Sequence, residues 1–585
     1  MIDIRANITR FSDDDSGNVT IFSVFMVVLI LTITGASVDI MRFEAVRAKM
    51  QSTMDRAVLA AADLDQEQDP QAVVIDYMTK AGIEDVLGSV TVDQGLNYRT
   101  VTAQGTTDLN TIFLHMSGMD TLTAPALSSA EEKISNVEIS VVLDVSGSMG
   151  GSRIENMRAA AAEFIDTVIQ DTGEGSGLTT VSLVPYNATV NLGDTVSEYF
   201  TLTSLFGSDP NGNQNNGWGN GDQDAPGGSL CHNNAENYDE GQASASCTSD
   251  TATPPPAAYS SCVSFEASDF KSVSISPDQM LTRLGHFDRY STNTSSTSIG
   301  SPWCKTGNTS AIMVHSADRT ALKAHINSLN AGGNTAIDLG MKWGVALLDS
   351  ATRPAVAQMA TDGHVPTEAS SRPAAYDDPE AIKFVVVMTD GENTTQYDLK
   401  SKYKYGWSSI WVDDRGTSSK SDDRYSVRVV DNKGDTNDLY YWVRYDGYSH
   451  SYKYRSQPDG GSNAVPMYNA ELFSRFGTRA AAQKFFVTPY YDGYVSYDEY
   501  YDLYYASQAT VDGNMADDRL DDICSAAKEE GIVVFTIGFE APTRGQQAMK
   551  SCASSEAHYF DVDGVEITET FHAIARQINS LRLIQ

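Results

Sequence analysis

Histidine is scarce in this 585-residue chain: nine residues, scattered, with no two-His metal constellation and no Ser/His/Asp grouping. A glycine-rich phosphate loop ending in Gly-Lys-Ser/Thr is also missing. Together these absences remove the commonest hydrolase and nucleotide-binding chemistries, and the chain reads as non-enzymatic. Basic residues are few. Forty-one Lys and Arg face 77 Asp and Glu, leaving a formal charge of −36, a surface that neither nucleic acid nor anionic lipid would accept as a partner. Cysteine is limited to positions 231, 247, 262, 304, 524 and 552, with no C-x-x-C pair and no histidine at zinc spacing, which excludes a structural zinc site. An even number of cysteines on an exported chain implies disulfides and an oxidising compartment. The pairing of Cys231, Cys247, Cys262 and Cys304 stays open. Cys524 falls on the helix before the last long strand and Cys552 on the segment after it, so these two are expected to pair.

Charge is absent altogether from Ser16 to Val38, and Val19–Val38 is strongly apolar. Twenty residues at a helical rise of about 1.5 Å cross a hydrocarbon core of about 30 Å, whereas a signal-peptide core is shorter. A retained membrane helix through residues 19–38 is therefore expected. Beyond it Phe43, Val46, Met50, Met54, Ala57 and Ala61 recur at steps of three and four among basic residues, the pattern of one long amphipathic stalk.

The stretch that carries chemistry is Val137–Met149, VEISVVLDVSGSM. Its nearly continuous apolar run is that of a parallel strand covered on both faces, and it ends at Asp144 followed by Ser146 and Ser148. A carboxylate and two hydroxyls at spacing two gather oxygens at the carboxyl end of a strand, where open α/β sheets bind ligands. Oxygen ligands of low charge suit a hard divalent cation. Two more segments share that character. Thr335 lies in the glycine-bearing loop Gly332-Gly333-Asn334-Thr335 before a helical stretch, and Asp390 ends the apolar run FVVVMTDG. In order and context, Asp144-x-Ser146-x-Ser148, Thr335 and Asp390 resemble the metal-ion-dependent adhesion site of von Willebrand factor A domains. The resemblance implies a doubly wound, Rossmann-like α/β sheet. It also implies a Mg²⁺ or Mn²⁺ ion (Ca²⁺ being a further candidate) touched by Ser146, Ser148 and Thr335, completed by Asp144 and Asp390 often through water, and open to a carboxylate of a protein partner.

The amino-terminal SGNVTIF…VDIMRFEAVRAKMQSTMDRAVLAAA resembles TadE/TadG-like proteins of the tight-adherence (Flp) pilus system. LVPYNATVNLG and the carboxyl-terminal CSAAKEEGIVVFTIGF…CASSEAHYFDV…IARQINSLRL are similar to TadG-like proteins as well. That family implies a single-pass inner-membrane anchor, the bulk of the chain in the periplasm or at the cell surface, and pilus or envelope components as partners. Phe22 stands where prepilin-type cleavage after Gly17 would call for Glu. Basic residues flank the apolar segment more heavily on its carboxyl side, the opposite of the family's topology, but the rule weakens before a long domain and the cysteines favour export.

The expected organisation is a tip, membrane helix and stalk over 1–64, a small α+β unit over 65–136, and the A-type domain over 137–585 with insertions at 193–310 and 395–513. In 65–136 helices are expected at Pro70–Ala81 and around Leu109–Met116, a strand or hairpin over Val90–Gln104, and a strand around Leu122–Glu131. The first insertion is rich in Gly, Asn, Ser and Thr; within it Asp209-x-Asn211-x-Asn213 begins like a calcium loop but lacks its Gly and Glu, and reads as a solvated turn. The second carries 19 of the 28 Tyr, alternating with polar residues as β-hairpins do. Its aromatics either frame the adhesion site or fill a core of their own. Two functions compete: a metal-dependent adhesion protein of the pilus system, and an assembly scaffold in which the metal only staples loops.

Overall fold

The computed structural model describes residues 16–63, 66, 68–94, 98–133, 136–169, 178–205, 260–378, 380–429, 439–444 and 453–584. They fall into two compact units, one built on Met1–Ser135 and the other on Asn136–Asp171 with Leu178–Leu581. Asp209, Asn211, Asn213, Cys231 and Cys247 lie outside the described residues.

In the first unit a 47-residue helix, Ser16–Ala62, runs through the apolar segment and the stalk without a break. It is long and apolar enough to cross a membrane, and its apolar side chains from Val19 to Met41 are largely exposed. The stalk half buries Met50, Met54, Ala57 and Ala61 completely, the three- and four-residue stripe visible in the sequence. They pack with Val74 and Met78 of the helix Pro70–Lys80 and with Val101, Ala103 and Ala126 of a three-stranded antiparallel sheet, Leu87–Gln94, Tyr98–Asn110 and Thr121–Lys133. The helix expected around Leu109–Met116 is not formed. Strand pairing continues to Asn110 opposite Thr121, and only a single 3₁₀ turn, Leu114–Ser117, follows. Leu109, Ile112, Phe113 and Met116 imitate a helical stripe at steps of three and four while sitting at the end of a hairpin.

The second unit is a mixed α/β structure around a six-stranded sheet. Its strands lie in the order Tyr559–Val562, Val533–Phe539, Ala381–Thr389, Asn136–Asp144, Thr179–Tyr186 and Met313–Ser316. Neighbours are parallel except for the last, which runs antiparallel at the edge. Every residue of the central Asn136–Asp144 strand is buried, as a strand covered on both faces requires. Ile139, Val141 and Leu143 face a core with Phe164, Leu322 and Phe571, brought by the helices Ser152–Val168, Arg319–Ser328 and Glu566–Ile584. Val142 points the other way, to Trp343, Leu520 and Met549 of the helices Ile337–Ala346, Gly513–Glu529 and Thr543–Cys552.

The described parts of the first insertion are built into this second core: Phe200 and Phe265 meet the Trp343 ring edge-on, and Phe270 packs beside them. The second insertion leaves and returns through a neck in which Gln396–Leu399 pairs antiparallel with Ser507–Val511. Beyond the neck a five-stranded antiparallel sheet forms, and Tyr425, Tyr441 and Tyr500 are buried with Ile410, Val427, Phe473 and Phe485 in its own core. The two insertions lean on each other: Thr478 N–H donates to Asp288 O, Gly285 N–H to Asp398 Oδ1, and the Arg289 guanidinium lies 3.3 Å from the centre of the Tyr397 ring.

Cys524 and Cys552 are bonded, with Cα atoms 5.1 Å apart, tying two helices of one face together; Cys262 and Cys304 form a second bridge, Cα atoms 6.0 Å apart. Loop-closure entropy for the first bridge amounts to about 3–4 kcal/mol. Replacing both Cys524 and Cys552 by Ser is expected to lower the unfolding free energy by about that much, read as a fall in the urea midpoint at unchanged slope.

A buried ion cluster holds the amino ends of the two central strands. Lys383 Nζ donates to Glu138 Oε2 (2.9 Å) and to the carbonyls of Leu348 and Ala374, while Arg372 and the Ala374 N–H reach Glu138 Oε1. Burial pushes the Glu138 carboxyl up, but the neighbouring cationic groups and these hydrogen bonds outweigh it and hold the group below its ordinary value. Its contribution is thus complete above the unfolded-state value of about 4.3 and is lost as pH falls through the lower folded-state value. Glu138→Gln leaves Lys383 buried without its counter-charge and is expected to cost about 3–5 kcal/mol at pH 7 in denaturant titration, a difference that shrinks on acidification.

Candidate functional site

Parallel pairing sets Leu143 beside Met388, so Asp144 and Asp390 emerge next to each other at the carboxyl end of the sheet. The Asp144 side chain is fully buried and fully engaged: Oδ1 accepts the Ser146 N–H (2.7 Å) and Oδ2 accepts the Thr389 hydroxyl (2.7 Å). Burial, and then the charge of Asp390, push its pKa up to about 6. Ser146 Oγ and Ser148 Oγ lie 2.9 Å apart, and the Ser148 hydroxyl donates to Asp390 Oδ1 at 2.6 Å, joining positions 242 residues apart in the chain. Asp144, Ser146, Thr335 and Asp390 are buried, whereas Ser148 is exposed and forms the open side of the cluster.

Thr335 reaches the same place from a third loop. A Cβ built on Gly391 would stand 3.3 Å from Thr335 Oγ1 and 3.8 Å from Ser148 Oγ, so both hydroxyls border the turn after Asp390. The loop is held by backbone and side-chain bonds. Gly147 N–H donates to Gly333 O, Gly332 N–H to Val145 O, and the Asn187 amide to Gly332 O. Gly333 has φ +91° with Asn187 Nδ2 only 2.8 Å from where a Cβ would be, so glycine is required there on both counts. Asn393 Oδ1 accepts the Ile337 N–H, and Thr394 exchanges bonds with the Thr335 backbone.

The five residues singled out by the sequence are thus brought together. Two others were not foreseen. Thr389 supplies the hydroxyl that fixes Asp144. Arg153 spans the mouth, with Nη1 donating to Asp390 Oδ2 (2.9 Å) and Nε to Glu540 Oε2 (2.7 Å). Its hydrogen bond holds the Glu540 carboxyl below the ordinary range. A signal existed in the sequence: a basic residue in the first turn of a helix opposes the macrodipole and calls for a local anionic partner. The donor set, two carboxylates and three hydroxyls without nitrogen or sulfur, fits a hard divalent cation. Two buried carboxylates side by side present the negative potential that such an ion would neutralise.

Thr389→Val keeps the shape and removes the donor to Asp144. The expected outcome is a loss of about 1.5–3 kcal/mol in unfolding free energy, the range for hydrogen bonds to charged groups, measured by urea denaturation.

Residues 17–64 match the Tad family model, described as Flp pilus-assembly TadE/G-like. No curated protein matches the chain. Among solved structures, the chain is similar to the vWF domain of the type V pili tip protein Mfa5 from Porphyromonas gingivalis, at 14% identity and TM-score 0.30, covering 77% of this chain and 97% of that one. It is similar to the pilus adhesin RrgA from Streptococcus pneumoniae, at 12% identity and TM-score 0.26, covering 84% of this chain and 49% of that one. A third is proximal thread matrix protein 1 of the mussel byssus with a zinc-occupied MIDAS motif, at 10% identity and TM-score 0.23, covering 77% and 46%. At its amino terminus, then, this chain carries a TadE/G-like Flp pilus-assembly segment.

Proposed function

We propose that the protein is a membrane-anchored adhesion component of a tight-adherence pilus system, and that its second unit is a von Willebrand factor A domain. In this reading Ser146, Ser148 and Thr335 offer hydroxyls to Mg²⁺ or Mn²⁺, and Asp144 and Asp390 hold those hydroxyls and complete the charge. When bound, the cation supplies a Lewis-acidic position for a carboxylate from a partner protein of the pilus or envelope. The observation that carries the reading is the convergence of three loops, 242 residues apart at the extremes of the Ser148–Asp390 bond, on one oxygen-only cluster with a solvent-facing side. The helix through residues 19–38 anchors the chain in the inner membrane with its bulk outside the cytoplasm, and the two disulfides support the oxidising setting.

The scaffold alternative gives the cation a purely stapling role. The loops are already fastened by direct bonds, Gly147 to Gly333, Gly332 to Val145 and Thr394 to Thr335, so a staple adds little, which favours the binding role. Calorimetric titration of the detergent-solubilised full chain is expected to show one Mg²⁺ or Mn²⁺ site, lost in Asp144→Ala and Asp390→Ala while the unfolding profile keeps its cooperativity. Pull-down of pilus and envelope proteins should require the cation and fail with chelator. Equal titration by wild type and both variants rejects the site; cation binding with chelator-insensitive capture selects the scaffold.

A further inference from the structure

The hairpin tip at residues 111–120 exposes large apolar side chains where polar turn residues are the rule: Ile112 is 57% exposed, Met116 71% and Met119 49%. The tip is fastened to the long helix at one level. The buried Asp39 carboxylate accepts the backbone N–H groups of Ile112 (3.1 Å), Phe113 (2.7 Å) and Leu114 (2.9 Å). One helical turn earlier, Gly35 is buried beneath the Phe113 ring, and a Cβ there would fall 2.3 Å from Phe113 Cγ. No residue larger than glycine leaves room for the ring.

That level is where the apolar segment ends. Asp39 is the first charged residue after Ser16, and on the uncovered sides of the helix Val38, Ile40 and Met41 remain 40%, 53% and 70% exposed. Gly35 lies about 6 Å further along the axis toward the apolar side, at about 1.5 Å per residue. We propose that the 111–120 tip is a second membrane contact, with Ile112, Met116 and Met119 entering the boundary between headgroups and acyl chains of the bilayer that the helix crosses. The proposal rests on reading residues 19–38 as a membrane span. The partner is the lipid surface itself: the patch is continuous with the lipid-facing helix, its contact is apolar, and His115 and Asp120, which bond each other at the tip, suit the headgroup layer. Two attachments one turn apart, one spanning and one interfacial, fix the rotation of the stalk about its axis, which a lone helix leaves free.

The test uses the full chain in phosphatidylcholine vesicles, with an environment-sensitive fluorophore on Met116→Cys and, as a reference, on Leu127→Cys. Leu127 O accepts from Gln51, which places it about 18 Å beyond Asp39 along the helix. The unsubstituted chain serves as the labelling blank. The expected result is a blue-shifted emission at position 116, quenched at least twofold more than at 127 by lipid carrying a nitroxide near the top of its acyl chain. Chains that float with the vesicles while the two labels behave alike overturn the interfacial contact and leave the anchor standing. Chains that do not float with the vesicles overturn both.

Discussion

Everything in the second unit depends on the parallel register of its two central strands. With Leu143 opposite Met388, the sheet delivers two aspartates to adjacent positions at its carboxyl edge, both of them buried. Like charges at such a place are unfavourable unless hydrogen bonds and a cation offset them. The surrounding sequence is organised to that end: a backbone N–H and the Thr389 hydroxyl on Asp144, the Ser148 hydroxyl and the Arg153 guanidinium on Asp390. The opposite end of the same strand pair is braced by Glu138 and Lys383, a buried pair of opposite sign. Apolar packing through both faces keeps the register between these two polar ends.

Much of this is legible in the sequence. The run from Val137 to Leu143 could only be a strand covered twice, and the stalk stripe from Met50 to Ala61 is buried as its spacing demands. What failed failed for a physical reason. Around Leu109–Met116 the apolar spacing suits a helix, but the ladder takes Leu109 and Asn110, and the Asp39 carboxylate takes the N–H groups of Ile112, Phe113 and Leu114. The edge strand Met313–Ser316 was missed because four residues give no usable period. Thr389 has no pattern of its own, since a single threonine acts on a residue already found, whereas the only trace of Arg153 is its place in the first turn of a helix, which names no partner.

The insertions show the limit of compositional reading. Alternating Tyr and polar residues in 395–513 announce hairpins, and Tyr425 and Tyr441 do lie on strands, whereas Tyr490, Tyr491, Tyr497, Tyr500, Tyr501 and Tyr504 lie on the short helices Val487–Tyr491 and Tyr497–Tyr504. The structure buries Tyr425 and Tyr441 in the insertion's own core, while Tyr491, Tyr497 and Tyr505 stay more than half exposed. Self-packing and an aromatic surface therefore coexist, on different residues. The first insertion, rich in residues typical of loops, nonetheless places Phe265 and Phe270 against Trp343, because two aromatics among many polar residues suffice to join a core that is already formed.

Arg153 bears on how the cluster can behave as well as on how it is held. Its two carboxylate partners come from different strands: Asp390 just beyond Ala381–Thr389, and Glu540 just beyond Val533–Phe539, with a backbone at φ +52° that an L-residue seldom adopts. Glu540 Oε1 also accepts the Gly564 N–H, so the acceptor is fixed from both sides. A guanidinium is planar and offers parallel donors; here it divides them between two acids instead of gripping one. Asp390 therefore keeps Oδ1 for the serine hydroxyl and gives only Oδ2 to the arginine. The positive charge beside the cluster lowers the cost of two adjacent carboxylates, and because it is shared with Glu540 it does so without cancelling the negative potential of the cluster.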